Sequence, residues 1–228
     1  MDPAIRFRSA VAMVGRFPVL AGVDLDAARG EIVLLQGANG AGKTSLLRAC
    51  AGLLRVVSGQ AVVLGHDLVD NPRAVRRQVA MLGHATALYD DLSSEENVRF
   101  FLRAAGRPLE AAAGALAAMG LVGRLASGAV GSLSAGQRRR VALAVLLAAD
   151  ADIWLLDEPH AGLDAEHRDL LDTLVRQAAG RGATVVLSSH ESGRSVALAD
   201  RVVTLAGGVA TGSVPARAAA TTEVVHVA

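Results

Sequence analysis

One octapeptide, Gly37-Ala38-Asn39-Gly40-Ala41-Gly42-Lys43-Thr44, restricts what this chain can fold into more than any other stretch. It fits the pattern G-x-x-x-x-G-K-[ST], whose glycines let backbone N–H groups close around phosphate oxygens. Lys43 is the only lysine; the other 22 of the 23 Lys and Arg residues are arginine. A compact ammonium reaches the β- and γ-phosphates as a point charge, where a planar guanidinium is too bulky. The flanks fit the same demand. Glu31-Ile32-Val33-Leu34-Leu35-Gln36 reads as a short buried strand. Leu46, Leu47, Ala49, Cys50 and Leu53 then recur at helical spacing, so a helix is expected over 43–54. Strand, loop and helix in that order aim a helix N-terminus at phosphate, and residues Gly37 to Ser45 are expected to hold a nucleoside triphosphate.

The alternation continues. Ile153-Trp154-Leu155-Leu156 reads as a second buried strand, followed by Asp157-Glu158-Pro159. A third spans 183–189 and ends at His190, with helices expected over 134–148 and 165–180. This is the pattern of an α/β fold: a phosphate-loop nucleotidase with a mostly parallel core sheet flanked by helices. Antiparallel strands are expected near the N-terminus. Residues 85–132 differ, with helical patterns over 95–105 and 109–121 but no convincing strand. They read as a helical sub-domain inserted into a core of 1–84 and 133–213, with a loosely packed tail over 214–228. All of this fits one domain of 228 residues.

Asp157 and Glu158 end a buried strand, and two carboxylates there need a reason. In nucleotide hydrolases the Mg²⁺ on the terminal phosphates is held by the loop hydroxyl, here Thr44, and by an aspartate ending a neighbouring strand, here Asp157. Glu158, one residue on, is placed to polarise the attacking water.

About ninety residues beyond the loop lies Leu133-Ser134-Ala135-Gly136-Gln137, followed by Arg138-Arg139-Arg140. This segment resembles the signature of ATP-binding-cassette (ABC) ATPases, usually L-S-G-G-Q, with alanine for the first glycine. Ala161-Gly162-Leu163-Asp164 resembles the D-loop of that family, and His190 its switch histidine. The motifs follow the family's order over nearly the whole chain. Membership would imply a head-to-tail pair of ATPase subunits, with Ser134 and Gly136 of one copy binding the γ-phosphate of ATP held by the other. It would also imply a polytopic membrane subunit as partner, and a place on the cytoplasmic face of the cell membrane. Homodimer and heterodimer both remain open. The rival is a soluble ABC ATPase acting on a macromolecular assembly. A phosphate-loop kinase explains neither the signature segment nor Glu158.

Two departures stand out. The family's Q-loop glutamine aligns with His84 in Met81-Leu82-Gly83-His84-Ala85, where a ring nitrogen replaces the amide and makes the role pH-dependent. The aromatic that usually stacks on adenine has Phe17 as its nearest candidate, a few residues late. The Leu82-Gly83-His84 stretch, the 133–144 segment and Trp154-Leu155-Leu156-Asp157-Glu158-Pro159 together are similar to the ATPase of the haem exporter in cytochrome c maturation, which implies haem as cargo. Tyr89, Phe100 and Phe101 are expected either to line a groove for the membrane partner or to pack in the core.

Composition limits what else is expected. Hydrophobic residues make up 52% of the sequence, yet a charge-free apolar stretch in mid-chain such as Val141 to Ala149 is far shorter than the roughly 20 residues of a spanning helix. Met1-Asp2-Pro3 opens without a basic region, so no signal peptide is expected. The single Cys50 suits a small core residue and a reducing compartment. A net charge of +1 argues against a nucleic-acid face. His66, His160, His167 and His226 show no metal-ligand spacing. Arg73, Arg76 and Arg77 read as a solvated face, and Ser132 to Gly136 lacks the first glycine of a hydrolase nucleophile elbow.

Overall fold

The computed structural model describes residues 2–189 and 192–223. Two sheets organise it. The smaller is antiparallel, ordered β2-β1-β4-β5, from β1 (Ile5–Val14), β2 (Phe17–Ala27), β4 (Val56–Val63) and β5 (His66–Asp67). The larger has six strands in the order β10-β9-β3-β8-β7-β6. Its members are β3 (Ile32–Gln36), β6 (Val79–Leu82), β7 (Ile153–Asp157), β8 (Thr184–Ser188), β9 (Arg201–Ala206) and β10 (Val209–Pro215). All neighbours in it are parallel except β10, which returns antiparallel to β9.

The central strands are apolar without alternation because both their faces are covered. Val33, Leu35, Ile153, Leu155 and Val186 point into one core, shared with the antiparallel sheet and with Leu46, Leu47 and Cys50 of α1 (Lys43–Cys50). Leu34, Trp154, Leu156, Val185 and Leu187 point into the other. There they meet α5 (Ala135–Ala149), α6 (Ala165–Gly180) and α7 (Ser192–Leu198).

The insertion folds as α2 (Ser94–Ala105), α3 (Ala111–Ala118) and a single turn, α4 (Arg124–Ser127). Ser93 starts α2 with a capping box: its hydroxyl accepts from Glu96 N, and Glu96 accepts from Ser93 N. Buried residues of α2, α3 and α5 belong to one apolar cluster, so packing runs across the expected boundary at 132.

Three expectations shift. The helix after the phosphate loop ends at Cys50 rather than 54, and Leu53 is exposed. Gly52 lies just beyond its end at φ +63°, outside the helical region, and must be glycine because a Cβ there would lie 1.7 Å from Pro72 O. The second insertion helix begins at Ala111, beyond Pro108 and Leu109, and Gly120 at φ +65° follows its end. Finally, the described part of the tail is structured. Val214 and Pro215 complete β10, and α8 (Ala216–Glu223) begins with a buried Ala216.

Candidate nucleotide site

Parallel strands present their C-terminal ends on one edge of the sheet, the usual place for a ligand in an open α/β fold. The loop after β3 and the end of β7 both arrive there. Between them lies a cavity of about 650 Å³, lined by Asn39 to Ser45, His84, Asp157 and Glu158, with Pro18, Val19 and Gly207-Gly208 across from them. Residues distant in sequence, from β6, β7 and the phosphate loop, thus share one wall.

The loop is shaped by what glycine alone allows. Gly37 has φ +145°, and a Cβ there would stand 2.2 Å from Leu205 O. Lys43 Nζ lies across the loop, donating to Gly37 O at 2.6 Å and Ala38 O at 3.1 Å. Thr44 Oγ1 donates to Asp157 Oδ2 at 2.8 Å, and Ser188 Oγ donates to Asp157 Oδ1 at 2.6 Å. Both carboxylate oxygens of a buried aspartate are therefore held. The Thr44–Asp157 pair offers two hard oxygen donors, the set that suits Mg²⁺, which keeps waters and phosphate oxygens as its remaining ligands. Among the described residues no group of three or more His, Cys, Asp and Glu forms an all-protein metal cage.

Glu158 has a left-handed backbone, φ +49°, which costs a non-glycine residue roughly 1–2 kcal/mol. Its N–H donates to Ser188 O and Ser188 Oγ, each at 3.2 Å. Its carbonyl accepts from Arg139 Nη2 at 2.7 Å. Arg139 is itself buried, with further bonds to Asp157 O at 3.0 Å and Gly83 O at 2.7 Å. Burial pulls its pKa below the ordinary arginine value, against the pull of the Asp157 and Glu158 carboxylates. Its Nε finds no hydrogen-bond partner among the described residues, a penalty of about 1–3 kcal/mol for an unmade buried bond.

The signature segment is elsewhere. Ser134 caps α5 with a second capping box, accepting from Gln137 N at 3.2 Å while Gln137 Oε1 accepts from Ser134 N at 2.9 Å. Ser134 and Ala135 are exposed, and none of Leu133, Ser134, Ala135, Gly136 and Gln137 lines the cavity that holds Lys43. Ala135 instead borders a cleft shared with His84, Arg139 and Gly162. Asp164 caps α6, accepting from His167 N at 2.9 Å and meeting His167 Nδ1 at 2.6 Å. The His167 N–H holds the Asp164 carboxyl below its usual range.

Phe17 is 77% exposed and does not line this cavity, whose wall there comes from Pro18 and Val19. His190 lies outside the described residues. Sequence reasoning missed Arg139 and Ser188, whose partners are backbone atoms or appear only on folding. It also missed His160, a buried ring bonded through Nε2 to Asp172 at 2.7 Å. The Arg138-Arg139-Arg140 run was the available signal for the first of these.

Comparison with known proteins agrees with this geometry. A family profile described as ABC transporter matches residues 20–161. The cytochrome c biogenesis ATP-binding export protein CcmA of Xanthomonas campestris pv. campestris is 40% identical over 189 residues, covering 82% of this chain and 87% of that protein. CcmA 2 of Cupriavidus metallidurans is 38% identical, covering 83% and 90%. Among solved structures, an ATP-binding subunit of an ABC transporter superposes with a TM-score of 0.87 at 25% identity, over 99% of this chain and 95% of that one. A dimeric ATP-binding cassette bound to ADP and Pi gives a TM-score of 0.85 at 24% identity, over 93% and 99%, and supports the fold alone.

Proposed function

The chain belongs to the ABC transporter family as an ATP-hydrolysing subunit, and from that premise we propose that two copies close head to tail and drive an exporter of haem. The observation that carries the site assignment is the convergence of Lys43, Thr44, His84, Asp157 and Glu158 on one cavity. The loop N–H groups of Gly37 to Ser45 take the phosphates, with Lys43 on the β- and γ-phosphate oxygens. Thr44 and Asp157 hold Mg²⁺, which when bound neutralises charge on the phosphates. Glu158 accepts a proton from the water that attacks the γ-phosphorus, and ADP leaves as the bridging P–O bond breaks. His84 orients that water in place of a glutamine, and His190 is assigned the hydrogen bond to the γ-phosphate.

The second half of each site comes from the other copy. Ser134 is exposed at the start of a long helix, so its hydroxyl and the first N–H groups of α5 are available to a γ-phosphate across the interface. Asp164, the cap of α6, is assigned to the same interface. Closing and reopening of the pair is the mechanical output. No helix among the described residues is long and apolar enough to cross a membrane. We assign the crossing to a separate polytopic subunit, with this chain on its cytoplasmic face. Its docking site is the insertion beside His84. There Tyr89 and Phe100 are half exposed and stack edge to face at 4.8 Å, with Phe101 behind them.

Haem as cargo rests on the CcmA relatives, whose name assigns them to cytochrome c biogenesis and export, and on Leu82-Gly83-His84. The test is affinity purification of Glu158→Gln protein from gently solubilised native membranes with ATP. A stoichiometric polytopic membrane protein is the expected companion. Ribosomal or other soluble partners without a membrane protein would replace the transporter reading by the soluble ATPase.

A further inference from the structure

Three consecutive arginines of α5 serve three different places. Arg138 pairs with Asp90 of the insertion at 2.5 Å. Arg140 donates to Met119 O at 3.0 Å and meets His167 Nε2 at 3.1 Å. Arg139, between them, turns into the core and ends among backbone carbonyls: Gly83 O, Asp157 O and Glu158 O, at 2.7, 3.0 and 2.7 Å. These belong to the ends of two neighbouring strands, β6 and β7, and to the residues next to His84 and at Glu158 itself.

We propose that Arg139 is a positioning residue for hydrolysis, holding the left-handed backbone of Glu158 so that its carboxylate is aimed, and fixing Gly83, and with it His84, to the same helix. The proposal rests on Glu158 acting as the base. The geometry supports it in three ways. Glu158 lies just past the end of β7, so its φ of +49° is not imposed by the sheet ladder. The bonds that hold it come from Ser188 on one side and Arg139 on the other. Only a planar fork of several N–H groups spans carbonyls on two strands; an ammonium on a flexible stem cannot keep that register. Because Ser134 caps the same helix, the positions of the signature segment and of this copy's own base are set by one rigid element.

The discriminating variant is Arg139→Lys, made alone and in a Glu158→Gln background, with ATP affinity measured on each preparation. Alone, it is expected to lower kcat about 100-fold while KM and ATP affinity stay within about twofold, since a misaimed base costs rate and not ground-state binding. In the Glu158→Gln background the fall is expected to be no more than about tenfold, because there is no base left to aim and only the placing of His84 remains to be lost. Partial recovery of Arg139→Ala by added guanidinium at low concentration is a third expected result. An unchanged kcat, an equal fall in both backgrounds, or loss of ATP affinity in step with rate would overturn the proposal. If Glu158→Gln alone hydrolyses ATP at the parent rate, the assignment of the base falls first, and that result is distinct from all of these.

Discussion

The phosphate-loop wall and the signature segment are both built at the start of a helix, yet they are finished in opposite ways. At α1 the polar groups turn inward: Lys43 spans its own loop, and Thr44 and Ser188 occupy both oxygens of Asp157. At α5 the cap is closed locally by Gln137, while Ser134 and Ala135 face outward. The first arrangement is a wall completed by its own chain. The second is a helix start that α5 needs for its stability and that also leaves anion-binding groups on the surface. On the proposed reading the difference is functional: each copy carries one finished half-site and lends the other half to its neighbour.

The largest expected effect breaks that comparison outright. Lys43→Ala and Ser134→Ala should each abolish hydrolysis in a homodimer. Mixed one to one, they should regain about a quarter of parental activity, because half of random dimers pair across copies and each of those has one intact composite site. Steady-state ATPase of the mixture reads this directly. No recovery on mixing would mean that Ser134 serves its own chain's nucleotide. Ser134→Ala also removes a cap worth about 1 kcal/mol, so its unfolding midpoint must be measured alongside to keep folding and catalysis apart.

How much of this was legible beforehand follows the same division. The phosphate loop declares itself by residue type, because glycine and lysine there answer local demands of backbone angle and point charge. Strands β3, β7 and β8 were legible because burial on both faces leaves apolar runs. β6, only four residues long, and β9, whose burial is mixed, were not. Gly52 was read as part of a helix, although it takes φ +63°; what requires glycine there is the closeness of Pro72 O, twenty residues away, which no local pattern shows. Which residue meets adenine was not legible: Phe17 is exposed, and its neighbours Pro18 and Val19 line the cavity. Arg139 and Ser188 were invisible as site residues. Their partners are mostly main-chain atoms, which leave no trace in residue types.

An intermediate effect sharpens the comparison at the point where the two halves touch. His84 lines the nucleotide cavity, while the carbonyl of Gly83 beside it is tied through Arg139 to the signature helix. His84→Ala should therefore lower kcat roughly tenfold or more and leave ATP affinity nearly unchanged, as expected for a group that acts on water rather than on bound nucleotide. His84→Gln should restore most of the rate, because an amide can hold the same water by a hydrogen bond. Steady-state ATPase rates of the two variants decide it. A parental rate in His84→Ala would detach this residue from the reaction and leave the cavity to Glu158.

The smallest effect concerns the departure inside the signature itself. Ala135 is the first residue of α5 and is exposed. Substituting Ala135→Gly recreates the commoner family signature and removes only one methyl from a helix start. In a helix interior that change costs about 1 kcal/mol through backbone entropy, and at the first position it should cost less. Stability in urea should fall by under about 1 kcal/mol, with KM for ATP unchanged and kcat within about twofold. A larger gain or loss of rate would mean that the methyl itself meets the opposite nucleotide. The outward-facing half-site would then be tuned by this side chain as well as by the Ser134 hydroxyl and the helix N–H groups, which would bring it closer in character to the enclosed half around Lys43.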